Sequence, residues 1–292
     1  MVQAVVVGVD GSPAALAAVE TAAHEAALRG TSLRLVHAFG WPSVHVPPRA
    51  APWNPTTAGV RELVDGTLAE AESRAREAEP QLEIDREVTV GEPVMVLELE
   101  SRTASLVVVG SRGRGAFGSL LLGSTAVHLS AHGHSPVLVV RGRPEPAGPV
   151  LLAVDGSPAG EAAVGFAFAE AAMRGVDLLA LHVWNTRTER AYEGPGDPLN
   201  VVVDIDRLQQ EEQRLLDDTI ARWQSRRPEV RVERRLVRSR VRHALIEASA
   251  EAQLLVTGAR GHGGFTGLLL GSVSQALLHH ADCPVAVVRG EG

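Results

Sequence analysis

Short apolar runs alternate with longer amphipathic stretches along the whole of this chain. Ala4–Asp10 is a β-branched run that ends in a carboxylate, and a stretch of Ala, Leu and Glu follows from Pro13 to a stop at Gly30. Pro at the start and Gly just past the end are the usual boundary marks of a helix. The pattern predicts further strands over Ser32–Ala38, Leu82–Thr89, Leu106–Val109 and Val137–Val140. It predicts helices from Gly59 to Ala78, from Pro93 to about Ala104, and from Ser124, which caps the fourth. Residues 39–57 are rich in Pro and Trp, lack periodicity, and read as loop. Strands alternating with helices imply parallel pairing and right-handed crossovers, hence an α/β fold with a doubly wound sheet.

The pattern then starts again. Val9–Pro13 recurs as Val154–Pro158, an offset of 145, and His37 recurs as His182 at the same offset. Leu120–Ser124 recurs as Leu268–Ser272, an offset of 148, and Val-Val-Arg-Gly closes both halves. The three extra residues therefore fall between His182 and Gly258, where a longer loop costs little. A repeat of this length is domain-sized. Two tandem domains are expected, over residues 1–143 and 148–292, joined by the Pro- and Gly-rich stretch 141–149.

Each half carries one glycine-rich segment between a strand and a helix, G-x-x-G, nine residues, then G-S. The first has Gly110, Gly113, Gly123 and Ser124; the second has Gly258, Gly261, Gly271 and Ser272. Glycines after a strand let backbone N–H groups approach an anion. A Gly-Ser step at a helix start adds a hydroxyl and more N–H groups where phosphate is favoured. Two copies at identical spacing point to two phosphate-binding sites. Arg112 and Arg260 recur inside these loops, as candidates for phosphate contact, whereas Arg114 becomes His262.

Composition narrows the chemistry. All 28 basic residues are Arg, so a Walker-type P-loop, a kinase strand lysine and a pyridoxal Schiff base are excluded. Cys283 is the single cysteine, which leaves no internal disulfide and no thiolate cluster. The net charge of −7 gives no general attraction to nucleic acid or to an anionic membrane. With no apolar run of about 18 residues and no signal-peptide pattern, a soluble cytoplasmic protein is expected.

In doubly wound sheets ligands bind beyond the carboxyl ends of the strands, where strand order reverses. Asp10 and the Gly110 loop share a ligand only if strands one and four are neighbours. Asp10 suits an adenine, a ribose or a metal; it equally suits an Asx turn before the helix at Pro13. Its recurrence as Asp155 makes the two readings about equal.

Taken together, the strand-one Val-Asp-Gly-Ser, the strand-two His, the two Gly-rich segments and the closing Pro-Val-x-Val-Val resemble the universal stress protein family over essentially the whole chain. The likeness is to its tandem-domain, ATP-binding branch. The resemblance implies two five-stranded sheets of order 3-2-1-4-5, an adenine nucleotide alpha hydrolase-like fold, each able to hold ATP or ADP with Mg. It places the adenine contact at Ala38 and Val183, Asp10 and Asp155 near ribose or metal, and Gly8 among the nucleotide-binding residues. It puts the triphosphate on Gly110, Gly113, Gly115, Gly123, Ser124 and Thr125, matched by Gly258, Gly261, Gly263, Gly271, Ser272 and Val273. It also implies pairing of the fifth strands, Val137–Arg141 against Val285–Arg289, with a homodimer as an alternative. The chain departs from the family at Ser105 and Gln253, where Asp is usual, and at Ser239 and Val241, which replace the Gly91 and Pro93 of the first half.

Other motifs carry less. Gly113, Gly115 and Gly118 spell G-x-G-x-x-G, but Thr266 breaks the pattern in the second half and the helix starts too late for a dinucleotide site. His128, His132 and His134 become Ala276, His280 and Asp282, which favours a solvated helix end over a metal site. Trp41 and Trp184 follow strand two, where loop anchoring is favoured over contact with the base. Eight arginines lie between Arg226 and Arg242; with acids interspersed and no aromatics to stack bases, charge on a sheet edge explains them better than nucleic acid does. Neither a positioned base nor a Lys accompanies the Gly segments, which favours binding over chemistry; with the resemblance, this implies a nucleotide-binding stress or dormancy regulator. A slow ATPase or adenylate-transferring enzyme is the alternative.

Overall fold

The computed structural model describes residues 3–39, 58–113, 122–143, 147–185, 205–261 and 269–290. It divides into two compact units, Met1–Arg141 and Gly142–Gly292. The first runs β1 (Val5–Gly8), α1 (Pro13–Arg29), β2 (Leu33–Phe39), α2 (Ala58–Ala78), β3 (Ile84–Val90), α3 (Pro93–Glu100), β4 (Leu106–Gly110), α4 (Ser124–His132) and β5 (Val137–Val140). The second repeats this as β6 (Val150–Val154), α5 (Glu161–Arg174), β7 (Leu178–Trp184), α6 (Ile205–Gln224), β8 (Val232–Arg238), α7 (Val241–Ser249), β9 (Leu254–Gly258), α8 (Ser272–His280) and β10 (Val285–Val288).

Within each unit the strands are parallel. Their order is β3-β2-β1-β4-β5 in the first unit and β8-β7-β6-β9-β10 in the second. Both are the 3-2-1-4-5 arrangement. Strand order reverses between β1 and β2 on one side and β1 and β4 on the other, so the switch point falls at the end of β1. Helices α1 and α2 pack together, as do α3 and α4, covering opposite faces of the sheet. Strands buried on both faces need continuous apolar runs, and β1, β4, β6 and β9 consist almost wholly of buried Val and Leu. The outer strands β3 and β8 differ: Asp85, Arg86, Glu87, Glu233 and Arg234 are exposed along them.

Local chemistry sets the helix ends. Ser12 caps α1 by accepting a hydrogen bond from the Ala15 N–H at 3.2 Å. Gly30 ends the helix in the left-handed region at φ 62°, which a side chain would strain. Ser157 caps in the same way through Gly160 N–H, but Pro158–Gly160 forms a 3₁₀ turn before α5 begins at Glu161.

Several boundaries differ from expectation. Strand one ends at Gly8, followed by one further bond from Val9 N–H to Val36 O at 2.9 Å, before Asp10 turns back to accept from the Ser12 N–H. Ser124 is not a cap. Gly123 holds that position in extended geometry, and Ser124 is the first residue of α4 with no side-chain cap bond. Trp184 closes β7 as a buried strand residue rather than following it as a loop anchor. Trp41 lies outside the described residues. Among the described residues no helix is long and apolar enough to cross a membrane.

Candidate functional site

The switch point is an open cleft. In the first unit it has a volume of about 620 Å³ and lies beyond the carboxyl ends of β1, β2 and β4. Gly8 and Asp10 enter it from β1, and Ala38 enters from β2. Pro93 and Leu97 close one side from α3. Gly110, Arg112 and Gly113 form the far end with Gly123, Ser124 and Thr125 at the start of α4. The pairing of β1 with β4 brings these groups together. Arg114 and Gly115 lie outside the described residues, as do His262 and Gly263 in the second unit.

Close packing explains the glycines. A Cβ on Gly110 would stand 2.6 Å from the Ala14 carbonyl oxygen of α1, and one on Gly8 would stand 2.7 Å from a Leu97 methyl. A Cβ on Gly113 would stand 2.7 Å from Asp10 Oδ2. The Asp10 carboxylate thus spans two roles. Oδ1 accepts from the Ser12 N–H at 2.9 Å, making the Asx turn, while Oδ2 faces the glycine segment.

The start of α4 presents backbone N–H groups at the cleft. The Gly123 N–H is held by the Ser111 carbonyl at 2.8 Å, which fixes the entry into the helix. The first bond along the helix is from Val127 N–H to Gly123 O, at 3.2 Å. The N–H groups of Ser124, Thr125 and Ala126 precede it, so they have no partner within the helix. Their partial positive charge faces the cleft that these residues line. Arg112 is exposed and makes no ion pair among the described residues.

The second unit reproduces this frame. Asp155 Oδ1 accepts from the Ser157 N–H at 3.0 Å and from its hydroxyl at 2.8 Å, and a Cβ on Gly261 would collide with Asp155 Oδ2. Gly258 closes β9, Val183 is buried in β7, and Gly271 N–H is held by Ala259 O at 2.8 Å ahead of Ser272 and Val273. Arg260 is exposed, like Arg112. Ser274, which replaces Ala126, donates its hydroxyl to Gly258 O at 2.7 Å and pins the helix start to the strand end.

Three features of these sites were not read from the sequence. His37 and His182 each donate from Nδ1 to the carbonyl of Val9 or Val154, at 2.8 and 2.7 Å, so the repeated histidine ties strand two to the end of strand one. The buried His182 also meets Glu212 of α6 through Nε2 at 2.7 Å, where the first unit has Val64. His128 pairs with Glu98 of α3 at 2.6 Å and stacks on His132 with ring centres 4.1 Å apart. This helix end stays partly solvated, and a facing carboxylate on the neighbouring helix draws His128 into a bridge across α3 and α4. That bond, with the charges of His128, His132 and His134, holds the Glu98 carboxyl below its ordinary value, against a smaller opposing effect of burial. Among the described residues no three His, Cys, Asp or Glu side chains gather as a metal site.

Ser105 and Gln253, which depart from the family pattern, lie at the other end of the sheet. Their N–H groups bond Ala4 O and Pro149 O at 2.9 and 3.1 Å, one residue before β4 and β9 begin. Neither touches the cleft.

Fold and site define a class: a tandem α/β protein in which each unit sets a glycine-rich strand end beside a helix start at the switch point of its sheet. The universal stress protein family model matches residues 1–141 and 147–289. A universal stress protein of Mycobacterium tuberculosis strain H37Rv is 39% identical over 295 residues, covering 98% of this chain and 96% of that one. One from Mycolicibacterium smegmatis is 38% identical over 301 residues, with the same coverage. The crystal structure of a universal stress protein from Archaeoglobus fulgidus superposes with a TM-score of 0.71 at 18% identity, covering 98% of both chains. The chain belongs to the universal stress protein family.

Proposed function

We propose that this protein is a cytoplasmic nucleotide-binding regulator of stress or dormancy, and that each unit holds ATP or ADP at the end of its first strand. The cleft of the first unit carries this reading. It joins an anion-binding end at Gly110, Gly113 and Ser124 to a less polar end at Ala38, Pro93 and Leu97, within the size range of small-molecule sites. The phosphates take the N–H groups of the glycine segment and of α4, with Arg112 alongside; Arg260 and α8 serve the second unit. Mg would travel with the phosphates and their waters, and the protein would add at most the Asp10 or Asp155 carboxylate.

Binding fits the cleft better than catalysis. Asp10 is the one carboxylate among its described lining residues, and one of its oxygens already accepts from the chain. Transfer of a phosphoryl group needs a placed base and charge neutralisation beyond this.

The test is to denature freshly purified protein and identify and count the nucleotide released. Near two ATP or ADP per chain supports both sites; about one supports unequal sites. None released, with none bound on adding ATP and Mg²⁺, overturns the reading.

A further inference from the structure

The second unit holds a cavity of about 360 Å³ between the turn after β6 and the facing sides of α5 and α6. Val154, Asp155, Glu161, Val164, Thr219 and Arg222 line it, whereas Val183, Gly258, Gly261 and Ser272 of the switch point do not. Its volume falls at the lower end of the range for small-molecule sites. Two local features open it. The Pro158–Gly160 turn delays the start of α5 to Glu161, although α1 begins directly at Pro13. The Trp223 ring then stands against Gly165 and donates its Nε1–H to Glu161 Oε1 at 2.7 Å, which holds α6 off α5.

Three side chains of this lining have bonding capacity that the fold does not use. Thr219 is only 5% exposed, yet its hydroxyl makes no hydrogen bond among the described residues. Thr21 and Thr67, also helical, return theirs to the carbonyl one turn back, at 3.1 and 3.0 Å. A buried hydroxyl without a partner is a cost that a polar ligand would remove. Arg222 is the counterpart of Arg74, which bonds Glu20 at 2.9 Å. Gly165 stands where Glu20 would be, and Arg222 is left with a long ion pair, 3.5 Å to Glu161 Oε2. That oxygen accepts no hydrogen bond among the described residues, since the Trp223 N–H goes to Oε1. Thr219 and Arg222 are three residues apart on α6, hence on one face. The first unit has Leu16 and Ala71 where the second has Glu161 and Thr219, so this polar set belongs to the second unit.

We infer that this cavity binds a free α-amino acid with a small apolar side chain. The carboxylate meets Arg222 and the Thr219 hydroxyl, the ammonium meets Glu161 Oε2, and the side chain lies against Val154 and Val164. Glu161 and Asp155 oppose a bare anion and Arg222 opposes a bare cation, whereas a zwitterion satisfies both signs. No residue of the glycine segment takes part, so the inference stands apart from the nucleotide reading.

The probes are L-valine, isovalerate, which is valine without its amine, and isobutylamine, which is valine without its carboxylate. Each is titrated against the full chain by ligand-observed NMR. Valine should fill one site per chain, about tenfold more tightly than either fragment. Thr219→Val removes the hydroxyl at nearly constant shape. It should weaken valine about tenfold, and the melting temperature should not fall, because the lost hydroxyl had no partner. Glu161→Gln should weaken valine without weakening isovalerate. No valine binding by the parent overturns the inference, as does an affinity that Thr219→Val leaves unchanged. Isovalerate or isobutylamine binding as tightly as valine would reduce the cavity to a site for a single charge and also overturn it. A melting temperature lowered by Thr219→Val would show that the fold already uses the hydroxyl, which removes the ground of the inference.

Discussion

Each glycine at the switch point answers to a different neighbour, and substitution separates them. Gly110 stands against the backbone of α1, which cannot yield as a side chain tip would. Gly110→Ala should cost about 1–3 kcal/mol by overpacking, measured by urea denaturation. At Gly123 the nearest atom to an added Cβ is 3.6 Å away, an ordinary contact. Gly123→Ala should leave stability within about 0.5 kcal/mol of the parent, yet weaken nucleotide retention, because the methyl group occupies space beside the helix start. Loss of stability without loss of nucleotide would show that the glycine serves the fold alone.

The Glu98–His128 bridge has a pH signature. A carboxyl held below its ordinary value in the folded state contributes stability that is fully present above its unfolded value, 4.5, and lost as pH falls through its folded value. The difference in urea midpoint between the parent and E98Q should therefore be larger at pH 6 than at pH 3. A difference that stays constant over this range would exclude the bridge as its source. The second unit has Ile246 and Ala276 at these positions, so this acid sensitivity belongs to the helices that wall the first cleft.

Among the elements, α5 and α6 show how one large residue reshapes a helix pair. Trp223 donates its Nε1–H to Glu161 at 2.7 Å, and its ring lies so close to Gly165 that a Cβ there would collide with it. The first unit has Glu20 and Ala75 at the matching positions, and its helices need no such gap. Gly165→Ala should destabilise the chain by about 1–3 kcal/mol, although alanine is the better helix former. In a Trp223→Ala background the same change should be neutral or stabilising. Additive effects in this double-mutant cycle would refute the wedge. The Glu212 carboxylate similarly anchors α6 to β7 through His182, a contact that α2 replaces with the apolar Val64.

Across the molecule, legibility in the sequence follows range. The order of strands and helices could be read because period, caps and turn glycines act within a few residues. The site could be read because its glycines repeat at fixed spacing and the strand-one carboxylate repeats with them. What could not be read depends on partners in different elements. The His128–Glu98 bridge joins α4 to α3, the His182–Glu212 pair joins β7 to α6, and the Trp223 wedge joins α6 to α5. None leaves a periodic trace. Ser is an intrinsically good cap, which reads the start of α4 one residue late; the extended backbone of Gly123, whose carbonyl accepts the first helical bond from Val127 N–H, shows that the glycine takes that place.

The charged outer strands set a rule of symmetry. If two copies of the chain joined β3 antiparallel about a two-fold axis, the register pairing all seven residues, Ile84–Val90, would set Glu87 against its own image. For β8, Val232–Arg238, the residue on the axis would be Arg235. Identity, which makes a two-fold contact easy to evolve, here places like charge on like charge. Glu87→Val removes that conflict, and sedimentation velocity should then detect dimers at concentrations where the parent shows fewer. Each sheet thus carries a bar to its own reflection, set by the parity of a seven-residue strand and the charge at its middle.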